Sequence, residues 1–240
     1  MTTSGFLEFG SALDAAALAE RFRQSGHVRI GNFLSPAAAE RMHEELRLRQ
    51  DWKQLINNGN KVFELDRQTR ETFTADQAAR LDAAVYSGAA DKFQYRYETI
   101  RTPDEAEERE GSSDVLAQFA SWMSRGKARN LFRELIASPA IEFADCQATC
   151  YSPGDFLTGH DDAVAGKNRF AAYVLSLNPV WRIEWGGLLL MHRNSQSVEG
   201  FSPAFNTLDI FSVGTMHSVS EVSKAAPCSR LSITGWLRGR

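Results

Sequence analysis

The sequence predicts an α+β fold in which helices of the first half support a β-sandwich or barrel formed by the second half. Apolar residues recur at helical spacing in several stretches before residue 140, whereas short apolar segments separated by turn residues follow it. No internal repeat or long Pro/Gly/Ser linker divides the 240 residues. We therefore predict one domain over residues 1–240, with helical support mainly in 1–140 and a β core at about 140–240 that a jelly roll satisfies.

The first half is predicted to hold helices interrupted by two short strands. Ser11 caps the first helix, and Ser35 followed by Pro36 opens the second. The other elements are a strand at 27–34, a helix at 75–85, a strand at 93–100 and a helix at 115–136. Aromatic and polar residues alternate along 93–100, which is typical of a half-buried strand.

The second half is predicted to be built of short strands. They lie at 143–151, 170–177, 187–192, 207–212, 217–222 and 231–237. Turn-forming residues separate them, including Ser152-Pro153-Gly154, Asn178-Pro179 and Trp185-Gly186-Gly187. Gly186 and Gly187 indicate a tight turn or bulge.

An acidic run at 104–110 contains five carboxylates and ends in Gly111, Ser112 and Ser113. No apolar residue anchors it, so we predict a solvated loop that is mobile without substrate. A substrate lid is the alternative interpretation.

Composition argues against several classes of function. The net charge is −3, so no broad basic field attracts nucleic acid or an anionic membrane, and no basic cluster is expected near the candidate site. We find no leader pattern at the start and no run of about 18 apolar residues, and we expect a cytoplasmic protein. The cysteines Cys146, Cys150 and Cys228 are predicted to be reduced thiols.

Three residues of the second half form a candidate metal site. His160 and Asp162 are two residues apart, so on an extended segment both side chains point to the same face. His217, at the start of a predicted strand, completes the set. Two imidazoles and one carboxylate leave coordination positions open, as in non-haem Fe(II) oxygenases, whereas a structural zinc site normally needs four protein ligands.

The segments around these residues occur in the order of one family. They read Tyr151-Ser-Pro-Gly-Asp-Phe-Leu-Thr-Gly-His160-Asp-Asp162, Trp185-Gly186-Gly187, His217-Ser-Val-Ser-Glu-Val222 and Arg230-Leu-Ser232-Ile-Thr-Gly-Trp236. The chain resembles the prolyl 4-hydroxylase-like 2-oxoglutarate oxygenases, especially the branch of ribosomal-protein prolyl hydroxylases and related bacterial proteins. The resemblance covers roughly residues 140–237, and residues 27–46 show a weaker similarity. It implies a double-stranded β-helix (jelly roll) core.

The resemblance also implies the roles of individual residues. His160, Asp162 and His217 match the iron ligands, Arg230 the residue that binds the far carboxylate of 2-oxoglutarate, and Tyr151 a residue of that pocket. A guanidinium suits this task because it meets a carboxylate through two parallel hydrogen bonds. Ser232 faces the same way as Arg230 and is a candidate third contact, with a surface-facing serine as the alternative.

One residue departs from the family pattern. Ser176 stands where many prolyl hydroxylases carry a tyrosine that also contacts the far carboxylate, so it binds that group through water or not at all. His27, His43 and His192 are interpreted as structural.

The resemblance implies a dioxygenase that consumes 2-oxoglutarate and O2 on Fe(II), with ascorbate as a supporting reductant. It would hydroxylate a C–H bond and release succinate and CO2. The substrate is a prolyl residue of a protein or peptide, or else a free amino acid or other small molecule. Two alternatives stay open: a cupin-like isomerase or hydrolase using zinc or manganese, and a catalytically silent jelly-roll interaction module.

Overall fold

A computed structural model describes residues 5–59 and 61–240. Within them, the α-helices are α1 Ala15–Ser25, α2 Pro36–Leu48, α3 Arg67–Glu71, α4 Ala75–Ala89, α5 Ala106–Arg109, α6 Val115–Met123 and α7 Gly126–Leu135. The strands are β1 His27–Gly31, β2 Lys53–Asn58, β3 Lys61–Asp66, β4 Tyr95–Arg101, β5 Phe143–Ala144, β6 Gln147–Tyr151, β7 Phe156–His160, β8 Arg169–Ser176, β9 Leu189–Asn194, β10 Ser197–Phe201, β11 Thr207–Ser212, β12 His217–Val219 and β13 Arg230–Arg238.

The strands form one antiparallel sheet in the order β1-β11-β8-β13-β6-β4-β7-β12-β9-β10, with β2 and β3 joined to β4 and with β5 joined to β13. The sheet curls strongly, because its two end strands contact each other. His27 on β1 and Phe201 on β10 have ring centroids 4.4 Å apart, and the Arg29 guanidinium lies 5.3 Å from the centre of the same phenyl ring. The predicted α+β class with a curled β core supported by helices is confirmed.

The two faces of the sheet have different partners because side chains alternate along each strand. On β13, Leu231, Ile233 and Leu237 belong to the large core that the sheet shares with the helical layer. Arg230 and Trp236 instead line the interior of the curled sheet. The helical layer buries Phe33, Met42, Leu116, Phe119 and Phe132 against the outer face.

The predicted support region at 1–140 also contributes to the sheet. All the helices described above lie between Ala15 and Leu135, but strands β1 to β4 come from the same part of the chain. The hairpin of β2 and β3 has no counterpart in the sequence predictions, and neither do β7 and β10. Because one sheet uses strands from both halves, a single domain over 1–240 stays our prediction.

Two helices differ from the sequence predictions at their ends. Asp14, rather than Ser11, caps α1, and its side chain accepts a hydrogen bond from the Ala17 amide at 3.0 Å. The predicted helix at 115–136 is two helices. The Ser124 hydroxyl donates a hydrogen bond to the Ala120 carbonyl at 2.6 Å and accepts one from the Ala144 amide at 3.0 Å. Gly126, two residues later, has φ +52°. A positive φ cannot continue a right-handed helix, so the chain turns here.

All five carboxylates of the acidic run at 104–110 are exposed, as predicted, but Ala106–Arg109 form the short helix α5 rather than a loop. An arginine within the run, rather than an apolar residue, anchors it. Arg109 is only 3% exposed and donates a hydrogen bond to the Ala144 carbonyl at 3.2 Å. The mobility of the acidic run without substrate stays a prediction.

Among the described residues, every helix is too short or too polar to cross a lipid bilayer.

Candidate active site

Three ligand-type side chains converge at the end of strands β7 and β12. His160 and His217 are paired across these strands, and Asp162 follows two residues after His160. His160 Nε2 lies 3.4 Å from Oδ1 of Asp162, and His217 Nε2 lies 3.4 Å from Oδ2 of the same carboxylate. One ligand atom from each residue lies within 4.8 Å of the others, which is the spacing of a shared metal ion.

Backbone carbonyls orient both imidazoles. His160 Nδ1 lies 3.1 Å from the Thr158 carbonyl, and His217 Nδ1 lies 2.8 Å from the Thr215 carbonyl. A carbonyl can only accept, so Nδ1–H donates and the Nε2 lone pair remains free for a metal.

Asp162 reaches the site by a route that differs from the predicted one. Its spacing from His160 predicted that both residues lie on one extended segment. In the structure β7 ends at His160, and Asp162 has φ +62°, in the left-handed region. Aspartate tolerates this region better than most residues. The turn, rather than strand alternation, brings the carboxylate to the imidazoles.

The electrostatics of the triad suit a divalent cation. Burial, followed by the charge of His160, lowers the pKa of His217 from 6.5 to about 4, so its imidazole is neutral. Burial alone would raise the pKa of Asp162, but its interactions with the rings of His160 and His217 outweigh burial and lower that pKa. Neutral imidazoles and an ionised carboxylate are the forms that bind metal.

Arg230 is a buried cation that has no counter-ion among the described residues. Its side chain is 1% exposed, and its Nε has no hydrogen-bond partner. Among the described residues no carboxylate lies within ion-pair distance of it, and its guanidinium packs 5.3 Å from the centre of the Tyr151 ring. Burial lowers the pKa of this guanidinium. A buried unpaired charge is costly, which indicates that an anionic ligand completes the site.

Gly187 makes room for this arginine. It has φ +61°, and a Cβ atom at this position would lie 3.0 Å from Arg230 Cδ. The turn predicted at Gly186 and Gly187 therefore also shapes the arginine site.

Ser232 and Ser176 are fully buried cross-strand partners on β13 and β8. The Ser232 hydroxyl has no hydrogen-bond partner. Neither serine lines the cavity that reaches Arg230 and Tyr151. Ser232 is therefore buried rather than surface-facing, and its contact with a co-substrate stays a prediction.

A cavity of about 480 Å³ connects the triad to Arg230. One wall is a series of aromatic rings in mutual contact. Centroids of Phe93 and Tyr95, and of Tyr95 and Tyr97, are 5.5 Å apart, and Tyr97 stacks on Tyr151 at 5.0 Å. The alternation along 93–100 predicted a half-buried strand, but the sequence analysis did not assign these rings to the site.

Arg169 and Trp236 lie beside the triad and were missed in the sequence analysis. Arg169 Nη1 donates to the Asp162 carbonyl at 3.0 Å, and the guanidinium lies 3.5 Å from the centre of the Trp236 ring. Its Nε and the Trp236 indole nitrogen are buried without partners. Both residues line the cavity and offer unused donors there.

The other three histidines lie outside the triad. His27 Nε2 pairs with Asp209 at 2.9 Å, His43 Nδ1 lies 2.8 Å from the Leu177 carbonyl, and His192 Nε2 lies 2.8 Å from the Ser218 hydroxyl. Each ring has a partner in the protein, in keeping with the predicted structural roles.

Residues 146–238 match the family model described as the 2OG-Fe(II) oxygenase superfamily. No curated protein sequence matches the chain. Among solved structures, a Pseudomonas putida prolyl-4-hydroxylase is similar, with a TM-score of 0.63 at 20% identity over 94% of this chain and 99% of that one. A Burkholderia pseudomallei oxidoreductase of the 2OG-Fe(II) oxygenase family gives 0.60 at 14% identity, covering 99% and 98%.

A third similar structure is a prolyl hydroxylase from Trichoplax adhaerens in complex with a hypoxia inducible factor oxygen degradation domain peptide fragment. Its TM-score is 0.58 at 16% identity, over 94% of this chain and 89% of that one. At these identities the structures establish a shared fold.

The family match and the converging triad define the class: residues 146–238 match the 2-oxoglutarate- and Fe(II)-dependent oxygenases, and all three candidate ligands lie within them. The residues present fit both groups, since His160, Asp162 and His217 offer the donors that Fe(II) accepts and Arg230 lacks an anion. The fold is shared with prolyl 4-hydroxylases. The ribosomal-protein branch stays a prediction.

Proposed function

We propose that the chain hydroxylates a prolyl residue of a protein or peptide, with Fe(II), 2-oxoglutarate and O2. The observation that carries the proposal is the continuous cavity between the metal triad and the unpaired Arg230. A 2-oxo diacid needs two separate anchors, a metal for its oxo-acid end and a cation for its far carboxylate.

Each residue that we propose for the site has a distinct part. His160, Asp162 and His217 hold Fe(II), which when bound supplies the oxidative decarboxylation of 2-oxoglutarate and the hydroxylation of a C–H bond. Arg230 holds the far carboxylate, Tyr151 packs against the guanidinium, and Ser232 is a candidate contact to the same group. Ascorbate would keep the iron reduced. The aromatic wall excludes water from the reacting atoms.

The open side of the cavity suits a peptide. The faces of Tyr95 and Tyr97 offer an apolar surface to a pyrrolidine ring, and Arg169 offers unused N–H donors to a peptide carbonyl. Two of the similar structures are described as prolyl hydroxylases, and one of them contains a peptide fragment. We place the protein in the cytoplasm, as the sequence predicts.

The two alternative functions use fewer of these features. A cupin-like isomerase or hydrolase, or a silent module, would leave the charge of Arg230 buried without a ligand. Both therefore fail to explain why the cation is there.

The test is a set of proline-containing peptides incubated with the protein, Fe(II), ascorbate, O2 and 2-oxoglutarate. We expect one added oxygen atom on a prolyl residue, found by mass spectrometry, and one succinate per hydroxylation. The matched control peptide carries alanine for the proline. Succinate formation without peptide oxidation, or oxidation of a residue other than proline, would contradict the prolyl assignment.

A further inference from the structure

Three basic residues meet beside the metal cavity: Arg101 at the end of β4, Lys167 in the turn before β8, and Arg169 at the start of β8. We call this group the basic rim. It lines a groove of about 140 Å³ that shares Gln147, Arg169 and Trp236 with the metal cavity. A ligand that occupies the cavity can therefore extend directly onto the rim.

Nearby acidic side chains are already used by another arginine. Asp104 and Asp145 line the same groove, and both accept hydrogen bonds from Arg238 Nη1, at 2.8 and 3.1 Å. The Arg238 Nε donates to the Lys167 carbonyl at 3.1 Å. Among the described residues, none of the three rim side chains has a carboxylate within ion-pair distance.

The rim cations are therefore uncompensated in a chain whose net charge is −3. An anion in the groove would relieve the repulsion among these cations. Among the described residues, the carboxylates of the groove are Asp104 and Asp145, and both bond to Arg238, so the rim cations are left for a ligand.

We propose that the basic rim binds the carboxylate of an aspartate or glutamate in the peptide substrate, a few residues away from the residue that is hydroxylated. The groove adjoins the metal cavity but lies outside it, so a carboxylate bound there belongs to another residue of the same peptide. This inference rests on the proposed prolyl hydroxylase function and adds sequence selectivity to it.

The test uses pairs of proline peptides in which one flanking position carries either glutamate or glutamine, scanned over several positions on both sides. Anaerobic protein loaded with Fe(II) and 2-oxoglutarate is titrated by fluorescence anisotropy, and turnover is measured separately. At one or more positions we expect the glutamate peptide to bind on the order of tenfold more tightly at low salt, and the preference to shrink as salt is added.

Charge reversal supplies the variants. Arg101→Glu/Lys167→Glu should abolish or invert the preference, and Arg101→Gln/Lys167→Gln should remove it with less disturbance of the fold. Glutamine peptides should bind the wild type and all variants with equal affinity. The matched control is Arg21→Glu/Lys127→Glu, which changes the same residue types at exposed positions on α1 and α7 in the helical layer.

Equal binding of glutamate and glutamine peptides by the wild type, or a preference that survives both rim variants, would overturn the rim proposal alone if peptides are still hydroxylated. Absence of prolyl hydroxylation in every peptide would overturn the proposed function and the rim with it.

Discussion

His160 and His217 face each other as register partners across β7 and β12, with ring centroids 4.1 Å apart. Strand pairing fixes their backbones, and the carbonyls of Thr158 and Thr215 fix their rings. Two of the three ligands are thus held in place by the sheet itself, whereas the third depends on a turn. The site is organised before any metal arrives, which lowers the cost of binding it.

Asp162→Ala is predicted to abolish turnover and to weaken Fe(II) binding strongly, because the variant lacks the only carboxylate of the triad. Alanine also strains a backbone at φ +62°, so Asp162→Asn, which tolerates that region, is the matched variant and should lose turnover with less effect on stability. Asp161→Ala should retain most of the activity. Near-normal turnover by either Asp162 variant would refute the metal assignment.

Arg230→Ala is predicted to raise the 2-oxoglutarate requirement while sparing iron binding. Hydrogen bonds to charged groups contribute roughly 1.5 to 3 kcal/mol each, and about 1.4 kcal/mol corresponds to a factor of ten. The half-saturating concentration should therefore rise by on the order of a hundredfold or more. Arg230→Lys should recover only part of the affinity for 2-oxoglutarate, since an ammonium cannot form the two parallel hydrogen bonds of a guanidinium. Titration of 2-oxoglutarate at saturating iron measures this, and unchanged half-saturation in the alanine variant would remove Arg230 from the co-substrate site.

The candidate ligands and Arg230 could be named from the sequence because they lie in short motifs that occur in the order of one family. His160, Asp162, His217 and Arg230 could be named without knowing how the strands pair. Ser232 was predicted from strand alternation and does face inward, but it lies beneath the cavity surface. Alternation gives the face of a strand and not the depth within the pocket.

The basic rim could not be predicted in the same way, and the expectation of no basic cluster near the site is wrong. Arg101 is far in sequence from Lys167 and Arg169, and the three meet only because β4, β6, β13 and β8 are neighbours in the sheet. Net charge averages over the whole chain and hides such a local group. The break between α6 and α7 was missed for a different reason, since apolar periodicity continues across the turn at Gly126.

The metal-free protein is predicted to lose stability as the pH falls from 6.5 towards 4. In this window the unfolded chain protonates His217, whereas in the folded protein burial, followed by the charge of His160, lowers the pKa of that residue to about 4. The unfolded state binds more protons, so the free energy of unfolding falls with falling pH, by on the order of 3 kcal/mol in total. Urea unfolding with a chelator at pH 7 and pH 4.5 tests this, and His217→Gln should show a smaller pH dependence. Equal pH dependence in both proteins would contradict the assigned pKa.

Arg109→Met is predicted to release the segment at 104–113. Its five carboxylates are exposed, Asp104 bonds to Arg238, and Arg109 attaches the rest of the segment to the Ala144 carbonyl. In substrate-free wild type, the backbone amides of the residues with exposed carboxylates should exchange fast. In the variant, exchange should become faster over the whole segment. Glu108→Gln, an exposed neighbour, should leave exchange unchanged. Strong protection of the entire segment in the wild type would contradict its mobility, and an unchanged pattern in Arg109→Met would remove Arg109 as its anchor.

The central claim is that one cavity holds Fe(II) on His160, Asp162 and His217 and 2-oxoglutarate on Arg230. Anaerobic titration of the protein with Fe(II) and then 2-oxoglutarate tests it most directly, with the absorption spectrum as the readout. We predict a weak metal-to-ligand charge-transfer band in the visible region that needs both additions, vanishes in Asp162→Ala, and needs far more 2-oxoglutarate in Arg230→Ala. Iron binding that gives no such band at saturating 2-oxoglutarate would contradict the claim.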